Sequence, residues 1–237
     1  MAPRDRSTAS TLKRTYESGE WSDLTIFTAT RDFRVHKNIV CPACPFFEAA
    51  CTRDSKEART GVVKLPESAE TVKGILKFIY GFPVRQATAE HAAASDIDHL
   101  CECLDIHVAA DKYDLPGLRT ISRRAVTTYV RCLDLAQKMV DFGLYLYQQD
   151  PGAVDESIIR KVTMNAGLNL PFLRVDESTW RKFVGHYDFL TASMDQLLKS
   201  KSALAVDDPA VQAPGDPEQK EDVRRFRDGL KALRAQN

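Results

Sequence analysis

All the strand-like alternation of apolar residues in this chain lies before Pro66, interleaved with short helical segments, and that placement limits what the chain can fold into. After Pro66 the apolar residues recur at helical spacing throughout. The stretch Trp21-Ser-Asp-Leu-Thr-Ile-Phe-Thr-Ala-Thr30 is rich in β-branched and aromatic residues, with Leu24 and Ile26 alternating against Asp23 and Thr25. Phe33-Arg-Val-His36 alternates again, and Arg31-Asp32 between them reads as the turn of an antiparallel hairpin. Gly61-Val-Val-Lys-Leu65 reads as a third strand, ended by Pro66. Ahead of the hairpin, residues 9–20 form a short polar segment with Leu12 and Tyr16 on one helical face and Gly19 as its stop. Between strands two and three, Lys37 to Val40 predicts a helical step. Pro45-Phe-Phe-Glu-Ala-Ala-Cys51 predicts a short helix that opens on a proline, where a missing N–H costs nothing.

Beyond Pro66, Val72, Ile75, Leu76 and Ile79 line one face of a helix begun by Glu67 or Ser68 and ended by Gly81. Residues 82–95 read as a connector. The stripe Ile97, Leu100, Cys101, Leu104, Val108 marks the next helix, and Leu118, Ile121, Ala125, Val126, Tyr129 another after Pro116-Gly117. Three short strands mixed with and followed by helices predict an α+β domain over about 10–130. From Leu133 the spacing is helical throughout. One helix carries Met139, Val140 and Phe142, a second Ile158, Ile159 and Val162. A third runs from Trp180 through Phe183, Val184, Tyr187 and Met194 to Leu198. Pro151-Gly152 and Asn169-Leu-Pro171 separate them. Three helices in this extension, 131–198, are expected to bury too little alone and to dock on the first domain. Residues 199–217 have a linker composition, and 218–234 set Val223, Phe226, Leu230 and Leu233 on one face of an amphipathic tail helix. There is no internal repeat.

Charge excludes whole classes of function. The 33 Lys+Arg are balanced by 33 Asp+Glu, so no global positive field is available for nucleic acid. No stretch approaches the roughly 18 consecutive apolar residues of a membrane span. The first residues lack the apolar core of a signal peptide, and no Asn-x-Ser/Thr site occurs. The six cysteines are therefore expected reduced, in a cytoplasmic or nuclear setting.

Two cysteine groupings invite chemistry. Cys41-Pro-Ala-Cys44 has dithiol spacing, and at a helix N-terminus the dipole would lower a thiol pKa. A thioredoxin-like context needs a βαβ start and later strands, whereas a hairpin precedes this motif. Core packing at a helix start is the competing reading. His99, Cys101, Cys103 and His107 lie close in sequence, but on a helix Cys101 and Cys103 diverge by about 200°. Cys101 is expected in the apolar stripe, and four convergent zinc ligands are not in view. No phosphate-binding glycine loop, nucleophile elbow or His-Glu-x-x-His is present. Arg119, Arg123, Arg124 and Arg131 form a local basic patch that reads as a solvated or partner-facing surface. The expectation is a non-enzyme without cofactor, catalytic residue or bound metal; a cysteine-based redox or zinc-binding protein is the alternative.

Taken in order, Ser22-Asp-Leu-Thr-Ile26, Phe33-Arg-Val-His-Lys37, Cys41 to Cys51, Val63-Lys-Leu-Pro66, Ile75-Leu-Lys-Phe-Ile-Tyr80 and His107 to Leu118 resemble a BTB/POZ domain. Tyr16-Glu-Ser-Gly-Glu-Trp-Ser-Asp23 resembles the large fungal set of such proteins. The resemblance implies a protein–protein interaction module that homodimerises, with the helix holding Leu12 and Tyr16 packed across the dimer axis. It also implies a charged pocket at the interface formed by Asp23 and Lys37; His36 sits at the corner beside it as a structural hydrogen-bonder. Many such proteins are cullin-3 ubiquitin ligase adaptors, which carry a hydrophobic residue, any residue and Glu before the third strand. The match here is Ser55-Lys56-Glu57, with Glu57 as the cullin contact and Ser55 at the hydrophobic position. The partner expected is a second copy, with cullin-3 or another protein beyond it, and neither nucleic acid nor membrane.

Overall fold

The computed structural model describes residues 7–52, 55–84, 97–133 and 136–205. Most of the connector at 82–95, the end of the linker and the tail segment 218–234 lie outside the described residues. The chain divides into two compact units: residues 1–132 with 149–158, and residues 133–148 with 159–237.

The first unit opens with α1 (Thr8–Ser18), followed by β1 (Leu24–Phe27) and β2 (Asp32–Val35). Three short helices come next: α2 (Lys37–Ala43), α3 (Pro45–Thr52) and α4 (Lys56–Thr60). Then come β3 (Val62–Lys64), α5 (Ala69–Ile79), α6 (Ile97–Lys112) and α7 (Pro116–Cys132). The sheet order is β2-β1-β3. β1 and β2 are antiparallel, with Leu24 opposite Val35 and Ile26 opposite Phe33. β3 runs parallel to β1, Ile26 opposite Val63. A parallel partner needs a crossover, and α2 to α4 supply it. The α+β class and the small sheet flanked by helices are as expected from the sequence.

The hairpin turn lies earlier than Arg31-Asp32. Asp32 pairs with Phe27 inside the ladder, and the turn is Thr28 to Arg31. There the Thr28 amide donates to the Arg31 carbonyl at 3.0 Å, and the Thr28 hydroxyl donates to that same carbonyl at 2.7 Å. A threonine hydroxyl that mimics the backbone closes the turn where the sequence shows no glycine. The core places Leu24, Ile26, Phe33, Val35 and Val63 of the sheet against Phe47, Val72, Ile75, Leu76 and Leu118. Gly74 lets α5 and α6 approach, since a Cβ there would stand 2.6 Å from Ile106 Cδ1.

The buried stripe of α6 is Leu100, Cys103, Leu104, His107 and Ala110, not the stripe through Cys101 and Val108. α6 packs against both α5 and α7, so its inner face is set by two neighbours rather than by its most apolar row. In the first unit, residues 149–158 are tied down by Asp155. Its carboxylate meets Arg119 Nη2 at 2.5 Å, and its N–H donates to Nε2 of the fully buried His107 at 3.4 Å. Arg119 also pairs with Asp111 at 2.8 Å.

The second unit holds α8 (Ala136–Tyr147), α9 (Glu156–Leu168, from Ile159 onward), α10 (Leu170–Leu173), α11 (Glu177–Gly185) and α12 (Tyr187–Ala205). The single long helix expected from Trp180 to Leu198 is two. His186 is extended, at φ −108° and ψ 92°, and its Nδ1 accepts the Phe189 N–H at 3.3 Å, capping α12. α12 occupies residues through Ala205, including 199–205. Phe183 and Phe189 meet edge to face at 5.1 Å between ring centroids. No described helix is long and apolar enough to cross a membrane.

Candidate functional site

The first helix lies at the surface of its unit. Ser7 caps α1 by accepting the Ser10 N–H at 3.3 Å, and Gly19 ends it in the left-handed conformation, φ 65°. No residue of α1 is buried. Its apolar residues Leu12 and Tyr16 lie half-buried on one face, as their spacing predicts. Tyr16 packs on Tyr80 at 4.9 Å and on Phe82 at 5.4 Å between ring centroids. Burial raises its phenol pKa, partly offset by Arg31. Next to this seat Trp21 is 73% exposed and holds φ at 60°. That is a costly backbone for a bulky residue.

Beneath Tyr16 lies a polar knot built on His36, which is buried. Its Nε2 stands 2.7 Å from the Glu20 carbonyl, an acceptor, so Nε2 carries the hydrogen. Nδ1 then accepts, and the Tyr80 hydroxyl donates to it at 2.7 Å. The same hydroxyl accepts the His36 backbone N–H at 3.1 Å. The histidine thus joins the end of α1, β2 and α5, and burial pushes the Tyr80 phenol up to about 12.

Asp23 and Lys37 do come together, through the main chain. Asp23 Oδ1 accepts the backbone N–H of Lys37 at 2.7 Å. Lys37 is the first residue of α2, so Asp23 satisfies one of the N–H groups a helix start leaves unpaired. The carboxylate is exposed and the lysine half-buried.

The Ser55-Lys56-Glu57 run forms the start of α4. Ser55 Oγ accepts the Ala58 N–H at 3.0 Å and donates to the Ala50 carbonyl at 2.9 Å. The serine is engaged as a helix cap, a role no apolar residue can fill. Glu57, in the first turn, is half-buried, and its carbonyl accepts the Gly61 N–H at 2.9 Å.

The cysteines are packed rather than poised. Cys41 lies in the last turn of α2, and Cys44 is both the C-cap of α2 and the residue that opens α3, its carbonyl accepting the Glu48 N–H at 3.0 Å, so the motif joins the end of one helix to the start of the next. Burial, then a hydrogen bond with Cys51, pushes Cys41 up to about 12, and burial raises Cys44. Their sulfurs donate to the Phe47 carbonyl at 3.6 Å and the Tyr113 carbonyl at 3.5 Å. Cys103 Sγ and His99 Nε2 stand 3.8 Å apart, while His107 binds Asp155, the Arg119 carbonyl and Ser122. Among the described residues no three His, Cys, Asp or Glu side chains converge as a metal site.

Tyr80, Phe82 and Glu20 complete the seat of α1 and were not singled out in the sequence. Tyr80 follows Leu76 by one helical turn, which is the signal that places it on the buried face. The Glu20 contribution is a carbonyl oxygen, which no side-chain pattern reports. A three-stranded sheet with a crossover of short helices, an N-terminal helix seated at its edge and helices closing the other side make one arrangement. The family model of the BTB/POZ domain matches residues 12–128. The chain therefore carries a BTB/POZ domain, a protein–protein interaction module.

Proposed function

We propose that the chain acts as a non-enzymatic scaffold or adaptor that homodimerises through α1 and the surface around Trp21. The observation that carries this reading is α1, which buries none of its residues within its own chain. An exposed Trp21 beside it adds a large aromatic anchor of the kind enriched at interfaces. A second copy would cover Leu12 and complete the seat of Tyr16. Light scattering at micromolar concentration tests the reading: a dimer is expected, and Leu12→Asp should shift it to monomer. A monomer whose mass is unchanged by Leu12→Asp removes it.

The fungal set is supported by the run Tyr16 to Asp23, and a cytoplasmic or nuclear location by the free thiols Cys41, Cys44, Cys51, Cys101 and Cys103. For cullin-3, Glu57 is available in the first turn of α4, but Ser55 is committed to its cap and cannot fill an apolar pocket. Losing such an anchor costs on the order of 1–3 kcal/mol. We therefore place cullin-3 second to an unidentified protein partner. Capture of cullin-3 by the intact chain, lost in Glu57→Ala, would reverse that order.

A further inference from the structure

Two half-buried thiols meet in the crossover that carries the chain to β3. Cys41 lies in the last turn of α2 and Cys51 in the last turn of α3, two helices packed on one another. Cys41 Sγ reaches across to the Phe47 carbonyl, at 3.6 Å. Phe47 precedes Cys51 by four residues, so that carbonyl lies one helical turn below Cys51 on the same side of α3. The two cysteine side chains are hydrogen-bonded to each other. Cys44 does not compete, because it is fully buried and its sulfur is held on the Tyr113 carbonyl at 3.5 Å.

A disulfide needs two sulfurs brought together by the fold and a route for the oxidant. Cys41 and Cys51 have both. We propose that these two residues form a reversible disulfide that staples α2 to α3, made by exchange with a small-molecule disulfide.

Cys41 holds its hydrogen toward the Phe47 carbonyl, so the first attack falls to Cys51. Its sulfur, as thiolate, attacks one sulfur of the small disulfide; that S–S bond breaks and a small thiolate leaves. Cys41 then attacks the Cys51 sulfur of the mixed disulfide, and its proton goes to the second departing thiolate. The two protein thiols together lose two electrons and two protons, and the small disulfide takes up both to become two thiols. The second step is favoured because both sulfurs sit on packed helix ends, at an effective concentration on the order of millimolar or above. Burial keeps Cys41 protonated at rest, so the pair stays reduced until the oxidant arrives. The inference is separate from the Cys41–Cys44 spacing and from the dimer assigned to α1.

Oxidised glutathione added to the intact, folded chain tests it. Remaining thiols are then blocked with N-ethylmaleimide in urea. Cleavage after Glu48 separates Cys51 from Cys41 and Cys44, and the fragments are weighed without reductant. They should stay joined, carry the block on Cys44, and come apart in reduced glutathione. The cross-link should be at least about tenfold more abundant than the mixed disulfide. Cys41→Ser should trap the mixed disulfide on Cys51, and Cys51→Ser should yield neither product, with circular dichroism of both variants matching the parent chain. No cross-link in the folded chain, a mixed disulfide that persists beside an intact Cys41, or a cross-link made through Cys44 would overturn the proposal. A mixed disulfide on Cys41 in Cys51→Ser would overturn the order of attack.

Discussion

Asp23 holds Lys37 by its backbone: the carboxylate accepts the amide N–H at 2.7 Å. A pair that looks like two opposite charges is thus first a helix cap, joining β1 to the start of α2. An exposed ion pair contributes little to stability, whereas a cap fixes geometry and satisfies a donor.

The two residues are therefore unequal. Asp23→Ala should lower unfolding stability by about 0.5–2 kcal/mol, while Lys37→Met, which keeps the amide, should change it by less than about 0.5 kcal/mol. Urea unfolding midpoints at constant slope measure both. Equal losses at the two positions would show that the ammonium carries the contact.

Tyr80→Phe keeps the ring against Tyr16 and Phe82 and removes only the hydroxyl. The His36 amide and imidazole Nδ1 would both lose their partner in a buried site. The expected cost is about 1–3 kcal/mol, together with faster proteolysis at the end of α1. A neutral substitution would mean that water reaches this knot.

His107 gives the fold a pH dependence. Its pKa is lowered by burial, against the opposing pull of Asp155, the Arg119 carbonyl and Asp111. The unfolded chain therefore takes up this proton at higher pH than the folded one. Stability is full above the ordinary histidine value of about 6.5 and declines as pH falls from there toward the folded value. His107→Gln should flatten that slope in thermal melts. Glu70 and Asp176, whose pKa values are depressed, act only in the more acidic range of carboxylates, so the histidine step is separable.

Gly143 faces Phe189 so closely that a Cβ would overlap the ring. Gly143→Ala should destabilise the second unit by about 1–3 kcal/mol through overpacking, despite its better helix propensity. Thermal unfolding followed at Trp180, within that unit, measures the loss. A gain in stability would show that Phe189 can turn aside.

The local elements were largely legible because each rests on signals within a few residues. Ser68 before α5 and Gly19 after α1 cap the helices as the sequence suggests, and the alternation of Leu24 and Ile26 sets their side of β1. What escaped depended on distant neighbours. Thr28 closes the hairpin with its own hydroxyl, earlier than Arg31-Asp32. Cys103, rather than Cys101, is buried because α6 is gripped by two helices. Arg119, which reads as part of a basic patch, is spent on Asp111 and Asp155.

By itself the sequence determined the α+β order of elements, the helix on which Leu12 and Tyr16 ride, and the absence of a phosphate loop or hydrolase motif. Those are properties of residue period and local chemistry. Only the tertiary structure decided that β3 lies parallel to β1, that His36 is locked between Glu20 and Tyr80, and that Asp23 meets the amide of Lys37. The reason is physical. Period reports which face of an element is apolar, but main-chain donors and acceptors are identical at every residue, and folding alone decides which of them are brought together.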